Sequence, residues 1–139
     1  MKTLNIPTGV ETYRLNDCCE VAFNATDSAF VEKLFRTFET LDQKQETYRG
    51  EIERISDKRE IFRIARERDK EMRDMIDGLF DAPVCESVFG TMNVYAMADG
   101  LPAWCNLMLA IMDEVDTGFA REQKAMNPRI KKYTDKYKA

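Results

Sequence analysis

The stretch DSAFVEKLFRTFETLDQKQETYRGEIERI, residues 27–55, decides the fold. Within it Val31, Leu34, Phe38, Leu41, Gln45, Tyr48, Ile52 and Ile55 recur in alternating steps of three and four. That spacing lines up one side of a helix as an a/d seam, the surface through which helices pack lengthwise. A helical interface on Leu34, Phe38, Leu41, Gln45, Tyr48 and Ile52 is therefore expected. Gln45 is the one polar member. A lone polar seam residue sets register or oligomer number, and a seam that meets solvent at that point accounts for it too, so both readings stay open. Asp27 stands where a carboxylate caps the amides of the next turn, which starts the helix at Ser28.

Downstream, Asp57 with Glu60 resembles a capping box, and there two geometries compete. Continuous helix from 28 to 80 gives a rod of about 80 Å; a turn at Ser56 gives a helical hairpin. Ile61, Ile64, Ala65, Met72, Met75, Ile76 and Leu79 form a second stripe, interrupted by Arg68. Methionines at such spacing read as core filler. Eight basic and eight acidic residues between Glu51 and Asp74 cancel, which reads as a solvated face laced with pairs such as Glu67 with Arg63 and Lys70.

Asp81-Ala82-Pro83 stops that helix, and Val84 to Phe89 makes a short helical turn ended by Gly90, with Val84, Val88 and Phe89 inward. Asn93 to Ala98 is a connector and Asp99-Gly100 a turn. Pro102 suits the first turn of a last helix carrying Trp104, Leu107, Met108, Ile111, Met112, Val115 and Phe119, closed by Asn127-Pro128. Ahead of the seam, Leu4–Ile6, Glu11–Leu15 and Cys19–Phe23 read as three short strands. Pro7-Thr8-Gly9 and Asn16-Asp17 supply the turns of a small meander, too short to stand without the helices.

The 139 residues fit one domain, and 44% hydrophobic against 33% charged residues is too apolar for a disordered chain. Residues 1–123 carry a net charge of −9 and residues 124–139 one of +5, an acidic body with a basic tail. Such a body repels a nucleic-acid backbone, so nucleic acid is not an expected partner except through the tail. Arg129, Lys131 and Lys132 are the candidate contacts for an acidic partner, against a frayed terminus as the plain alternative. With no histidine, imidazole bases and Ser/His/Asp or Cys/His nucleophile pairs are excluded. Cys18, Cys19, Cys85 and Cys105 contain no CxxC pair, so no metal is expected, nor any cofactor, since the glycines are scattered singly. Nothing reads as a signal peptide or membrane span, and reduced thiols in the cytoplasm are the expectation.

Met72-Arg73, Ile76-Asp77, Leu79-Phe80, Cys85-Glu86 and Phe89-Gly90 compose the pattern MRxxIDxLFxxxxCExxFG, followed by Asp99-Gly100-Leu101 and Trp104. In these residues, and along nearly the whole chain, the sequence resembles a family of short, largely uncharacterised proteins of phages and prophages of Gram-positive bacteria. Members resemble products of the tail gene module, where tail assembly chaperones are expected. The resemblance implies a chaperone-like role in the host cytoplasm, holding a tape-measure or tube subunit soluble until the tail polymerises.

The expected architecture is mainly α, one domain over residues 1–127. Short strands over 1–25 precede a long helix or helical hairpin over 27–80, a connector over 82–98 and a C-terminal helix over 101–126. A basic tail over 128–139 follows. The expected function is that of a phage tail assembly chaperone-like protein without catalysis, binding tail components through apolar helix faces and self-associating. A small phage-encoded inhibitor or regulator, binding a host protein or a signalling molecule, is the alternative.

Overall fold

The computed structural model describes residues 1–125 and 128–137. Two strands, β1 (Glu11–Leu15) and β2 (Cys19–Phe23), form an antiparallel hairpin with Leu15 opposite Cys19 and Glu11 opposite Phe23. Asn16 and Asp17 reverse the chain at φ of 50° and 56°, and the Cys18 amide donates to the Leu15 carbonyl at 2.9 Å. Asn and Asp tolerate the left-handed region that such a turn demands. Tyr13, Leu15, Cys19, Val21 and Phe23 share the inward face. Tyr13 stacks on Phe23 at 4.4 Å and Phe23 on Phe30 at 4.5 Å, which ties the hairpin to the first helix.

The expected strand over Leu4–Ile6 does not form, so the meander reduces to this one hairpin. Pro7 has no amide to give a ladder. The Asn24 amide donates to the Thr8 carbonyl at 2.8 Å, and a Cβ on Gly9 (φ 74°) would lie 2.5 Å from that amide nitrogen. The chain at residues 8–9 is thus held by Asn24, and Pro7-Thr8-Gly9 does not close a hairpin.

Helix α1 (Ser28–Glu53) begins as its cap predicts: Asp27 Oδ1 accepts from the Ala29 amide at 3.0 Å. Of the two geometries left open, the turn is the one adopted. Asp57 accepts from the Arg59 amide at 3.0 Å and starts helix α2 (Lys58–Phe80), while Glu60 pairs with Arg63. Lys33 reaches the Gly78 carbonyl, Lys44 meets Glu71 and Glu51 meets Arg68. Partners on α2 fall in number as those on α1 rise, so the two helices run antiparallel. Asp81, at φ 51°, ends α2. Helix α3 (Val84–Phe89) and Gly90 follow as read from sequence.

In the connector, β3 (Met97–Ala98) and β4 (Leu101–Pro102) form a miniature hairpin around Asp99 (φ 53°) and Gly100 (φ 82°). The Asp-Gly turn is legible in the sequence, but two-residue strands carry no periodicity. Helix α4 (Ala103–Lys124) follows and packs against α1. Its Trp104, Leu107, Met108, Ile111 and Val115 are buried, whereas Phe119 stays 39% exposed. The physical reason is local: at Gly118, an added Cβ would stand 2.5 Å from that of Ala25, so this part of α4 presses against Ala25 through glycine, and Phe119 next to it lies outward.

Helix α5 (Arg129–Tyr137) lies where the sequence reads as a basic tail. Asn127, expected to close the preceding helix, and Met126 lie outside the described residues. Among the described residues, no helix is long and apolar enough to cross a membrane.

The α1 seam faces this same core. Leu34 and Leu41 are fully buried, the Phe38 ring lies 5.9 Å from Trp104, and Tyr48 stacks at 4.1 Å on Tyr95. Gln45 Oε1 accepts the Trp104 indole N–H at 2.9 Å. Gln45→Ala would bury that N–H without its acceptor, at an expected cost of about 1–3 kcal/mol in urea unfolding. Combined with Trp104→Phe, which removes the donor, the double variant should lose less than the two single losses together. Strictly additive losses would mean that the two side chains are uncoupled.

Candidate functional site

The six seam residues come together, but as part of the interior. Leu34 and Leu41 have no surface to offer; Phe38 and Gln45 are half-buried against Trp104 of α4, Tyr48 against Tyr95 of the connector, and Ile52 is half-buried. Leu34 and Leu41 are thus consumed within the chain, while the other four keep part of their surface. Gln45, half-buried, satisfies an indole 59 residues away.

The polar members of the MRxxIDxLF pattern, Arg73 and Asp77, also have structural partners, together with Asp69 one turn ahead of them. Asp69 Oδ1 accepts from the Val94 amide at 2.7 Å, and its Oδ2 accepts from Arg73 Nε at 3.0 Å. Arg73 in turn donates to the Met92 carbonyl at 2.6 Å, and Asp77 accepts from the Cys85 amide at 2.9 Å. Asn93 closes the arrangement by donating to the Ala65 carbonyl at 3.0 Å. Three side chains one turn apart on α2 therefore hold α3 and the connector through otherwise orphaned backbone groups. This face is not wholly solvated, as the balanced charges suggest, since Asp69 and Arg73 keep only 18% and 17% side-chain exposure.

Arg68, which interrupts the α2 stripe, is a crosslink. Its guanidinium binds Glu51 of α1 in fork geometry at 3.0 and 2.9 Å and Glu71 at 2.7 Å. The Arg68 hydrogen bond holds the Glu51 carboxyl below the usual carboxylate range. That contribution is present at neutral pH and lost as pH falls through the lowered value. Arg63 pairs with Glu67 as read, but Lys70 takes Asp74 at 2.9 Å.

What faces outward is a groove of about 460 Å³ between the β1–β2 turn, α3, β3 and the start of α4. Leu15, Val88, Phe89, Met92, Ala98 and Leu107 make it apolar, with Arg14, Asn16 and Asn106 around them. Met97 and Leu101, exposed on the miniature hairpin, add apolar surface from the same connector. Sequence reasoning reads Val88, Phe89 and Leu107 only as inward-facing, and misses Met92 and Ala98, which lie in a connector with no periodicity. The groove is a product of tertiary packing, and no local signal announces it.

Arg129, Lys131 and Lys132 are exposed on α5. Arg129, Lys132 and Lys136 share one face by spacing, with Lys131 on another. They do not form one site with the seam, which faces the core. Among the described residues no group of three or more Cys, Asp or Glu side chains is arranged to hold a metal ion. No protein-family model, curated protein or solved structure matches this chain.

The thiols divide by burial. Cys18 is exposed on the hairpin turn, while Cys85 and Cys105 are buried. Burial, reinforced by Asp77, pushes the Cys85 thiol far up, and burial with Asp42 raises Cys105. A thiol reagent at about pH 8 should label Cys18 in the native protein and reach Cys85 only on unfolding, read as label stoichiometry by mass spectrometry. Since the folded protein keeps these protons where the unfolded chain releases them, their effect on stability is nil below about pH 8.5 and destabilising above it. Native labelling of Cys85 at the rate of Cys18 would contradict the buried placement.

Proposed function

We propose that this protein is a non-catalytic binding protein of the phage tail assembly chaperone type, which holds an apolar segment of a tail component in the groove between the β1–β2 turn, α3 and α4. The observation that carries the reading is the groove itself: apolar walls, open to solvent, with exposed Met92 at its rim. Methionine adapts to differently shaped apolar partners, which suits a surface that holds a client temporarily. The likeness of residues 72–119 to tail-module proteins supports the same role. The seam residues Phe38 and Gln45 act beneath this surface by fixing Trp104 at the start of α4. Arg129, Lys131 and Lys132, exposed on α5, supply the contact to an acidic stretch of the client.

Tape-measure fragments co-expressed with the wild type should remain soluble and co-purify with it. Met92→Glu and Ala110→Glu both place charge on exposed groove positions without touching the core. Each is expected to weaken fragment binding by about tenfold or more in calorimetry, with an unchanged helical circular dichroism spectrum. Failure of the wild type to retain any fragment, or equal binding by both variants, would contradict the proposal.

A further inference from the structure

We propose that the N-terminal half of α2, around Phe62, docks a short acidic segment of a partner protein that carries an apolar side chain. Phe62 is 60% exposed, belongs to no part of the core and stacks on no other ring among the described residues. It lies off the buried stripe of Ile64, Met72, Ile76 and Leu79. Lys58 and Arg59, one turn before it, and Arg66, one turn after it, share its face at helical spacing. All three are exposed, and among the described residues their side chains have no hydrogen bond or ion pair. Arg63, by contrast, is held by Glu60 and Glu67. An exposed aromatic ring set among unpaired cations is thus a local exception within the balanced charges of this stretch.

Charge selects the sign of the partner. Residues 58–66 carry a net charge of +3, whereas the rest of residues 1–123 carry −12. Lys58 and Arg59 also occupy the first turn of α2, where the helix dipole disfavours cations. Helix stability therefore does not account for them, and an incoming carboxylate is attracted by both the side chains and the helix end. The extent of the patch selects a short segment. From Lys58 to Arg66 is about 12 Å along the helix, the length of about four extended residues. Beyond Arg66 the surface turns acidic: in the cleft against α3 and the connector, Lys70 pairs with Asp74 and Arg73 with Asp69, which leaves Asp77 and Glu86 in excess. A nucleic-acid backbone or an anionic bilayer, with charge extended over a wider area, meets those carboxylates; a short acidic peptide does not. Phe62 then takes an apolar side chain of the segment, and the Arg59 and Arg66 guanidinium groups take its carboxylates. None of these residues lines the groove beside the β1–β2 turn, so the surface is independent of client capture there.

The test uses the full chain and a fluorescein-labelled peptide of Asp and Glu around one Phe, read by fluorescence anisotropy. The wild type should bind it with a Kd of about 10–100 μM. Arg59→Glu with Arg66→Glu should weaken binding about tenfold or more, and Phe62→Ser about fivefold, with unchanged helical circular dichroism because all three positions are exposed. Against the same peptide with Ala for Phe, Phe62→Ser should change nothing. Lys131→Ala with Lys132→Ala, which alters α5 only, should leave the affinity as it is. No binding by the wild type, or equal binding by the charge-reversed variant, overturns the proposal. So does tighter binding of oligothymidine or of phosphatidylserine vesicles that the same variants abolish, which would assign the patch to another anion. A dimer that these variants dissolve would place a second copy there and overturn it equally.

Discussion

The hydrogen bond from the Trp104 indole to Gln45, with Phe38 packed beside it, is the joint on which the rest of the structure depends. A tryptophan ring contributes a large apolar surface, but its N–H must find an acceptor when buried. Gln45 supplies one from the middle of an otherwise apolar seam. The start of α4 is thereby fixed against α1, and Leu107, Met108, Ile111 and Val115 follow in register into the same core. The backbone reinforces the placement: the Trp104 amide donates to the Val94 carbonyl at 3.0 Å, and the Ala103 amide to the Ala96 carbonyl at 2.7 Å.

Around that joint, charged side chains act as connectors between elements. Arg68 joins the two long helices through Glu51, and Asp69, Arg73 and Asp77 hold α3 and the connector through backbone amides and a carbonyl. An unpaired buried backbone group costs about 1–3 kcal/mol. Supplying partners from α2 lets a segment with very little regular structure pack tightly. The groove is a consequence: its walls come from elements that this polar scaffold positions.

Much of the helical framework was legible in the sequence because its causes are local. Asp27 and Asp57 cap the helices that follow them, Asp81-Ala82-Pro83 ends α2, and the 3.6-residue period marks Leu34, Leu41, Met72, Ile76, Met108 and Ile111 as core. The failures share a different cause. Leu4–Ile6 has the composition of a strand, yet Pro7 behind it lacks an amide for a ladder and the chain at Thr8 is held by Asn24 instead. Arg68 looks like a break in a stripe because its partner is on another helix. The balanced charges of α2 look solvated for the same reason. As for the candidate site, the groove gathers residues from positions 14 to 110, a convergence that no window of sequence contains.

The central claim is that the α1 seam finds its partner within its own chain, through Trp104. As Trp104 is the only tryptophan, its fluorescence reports on that joint alone. Followed from micromolar to nanomolar protein, emission should stay blue-shifted and shielded from acrylamide at every concentration, because dissociation of subunits does not open the joint. Emission that shifts to the red and becomes quenchable on dilution would show instead that the seam is completed by another molecule.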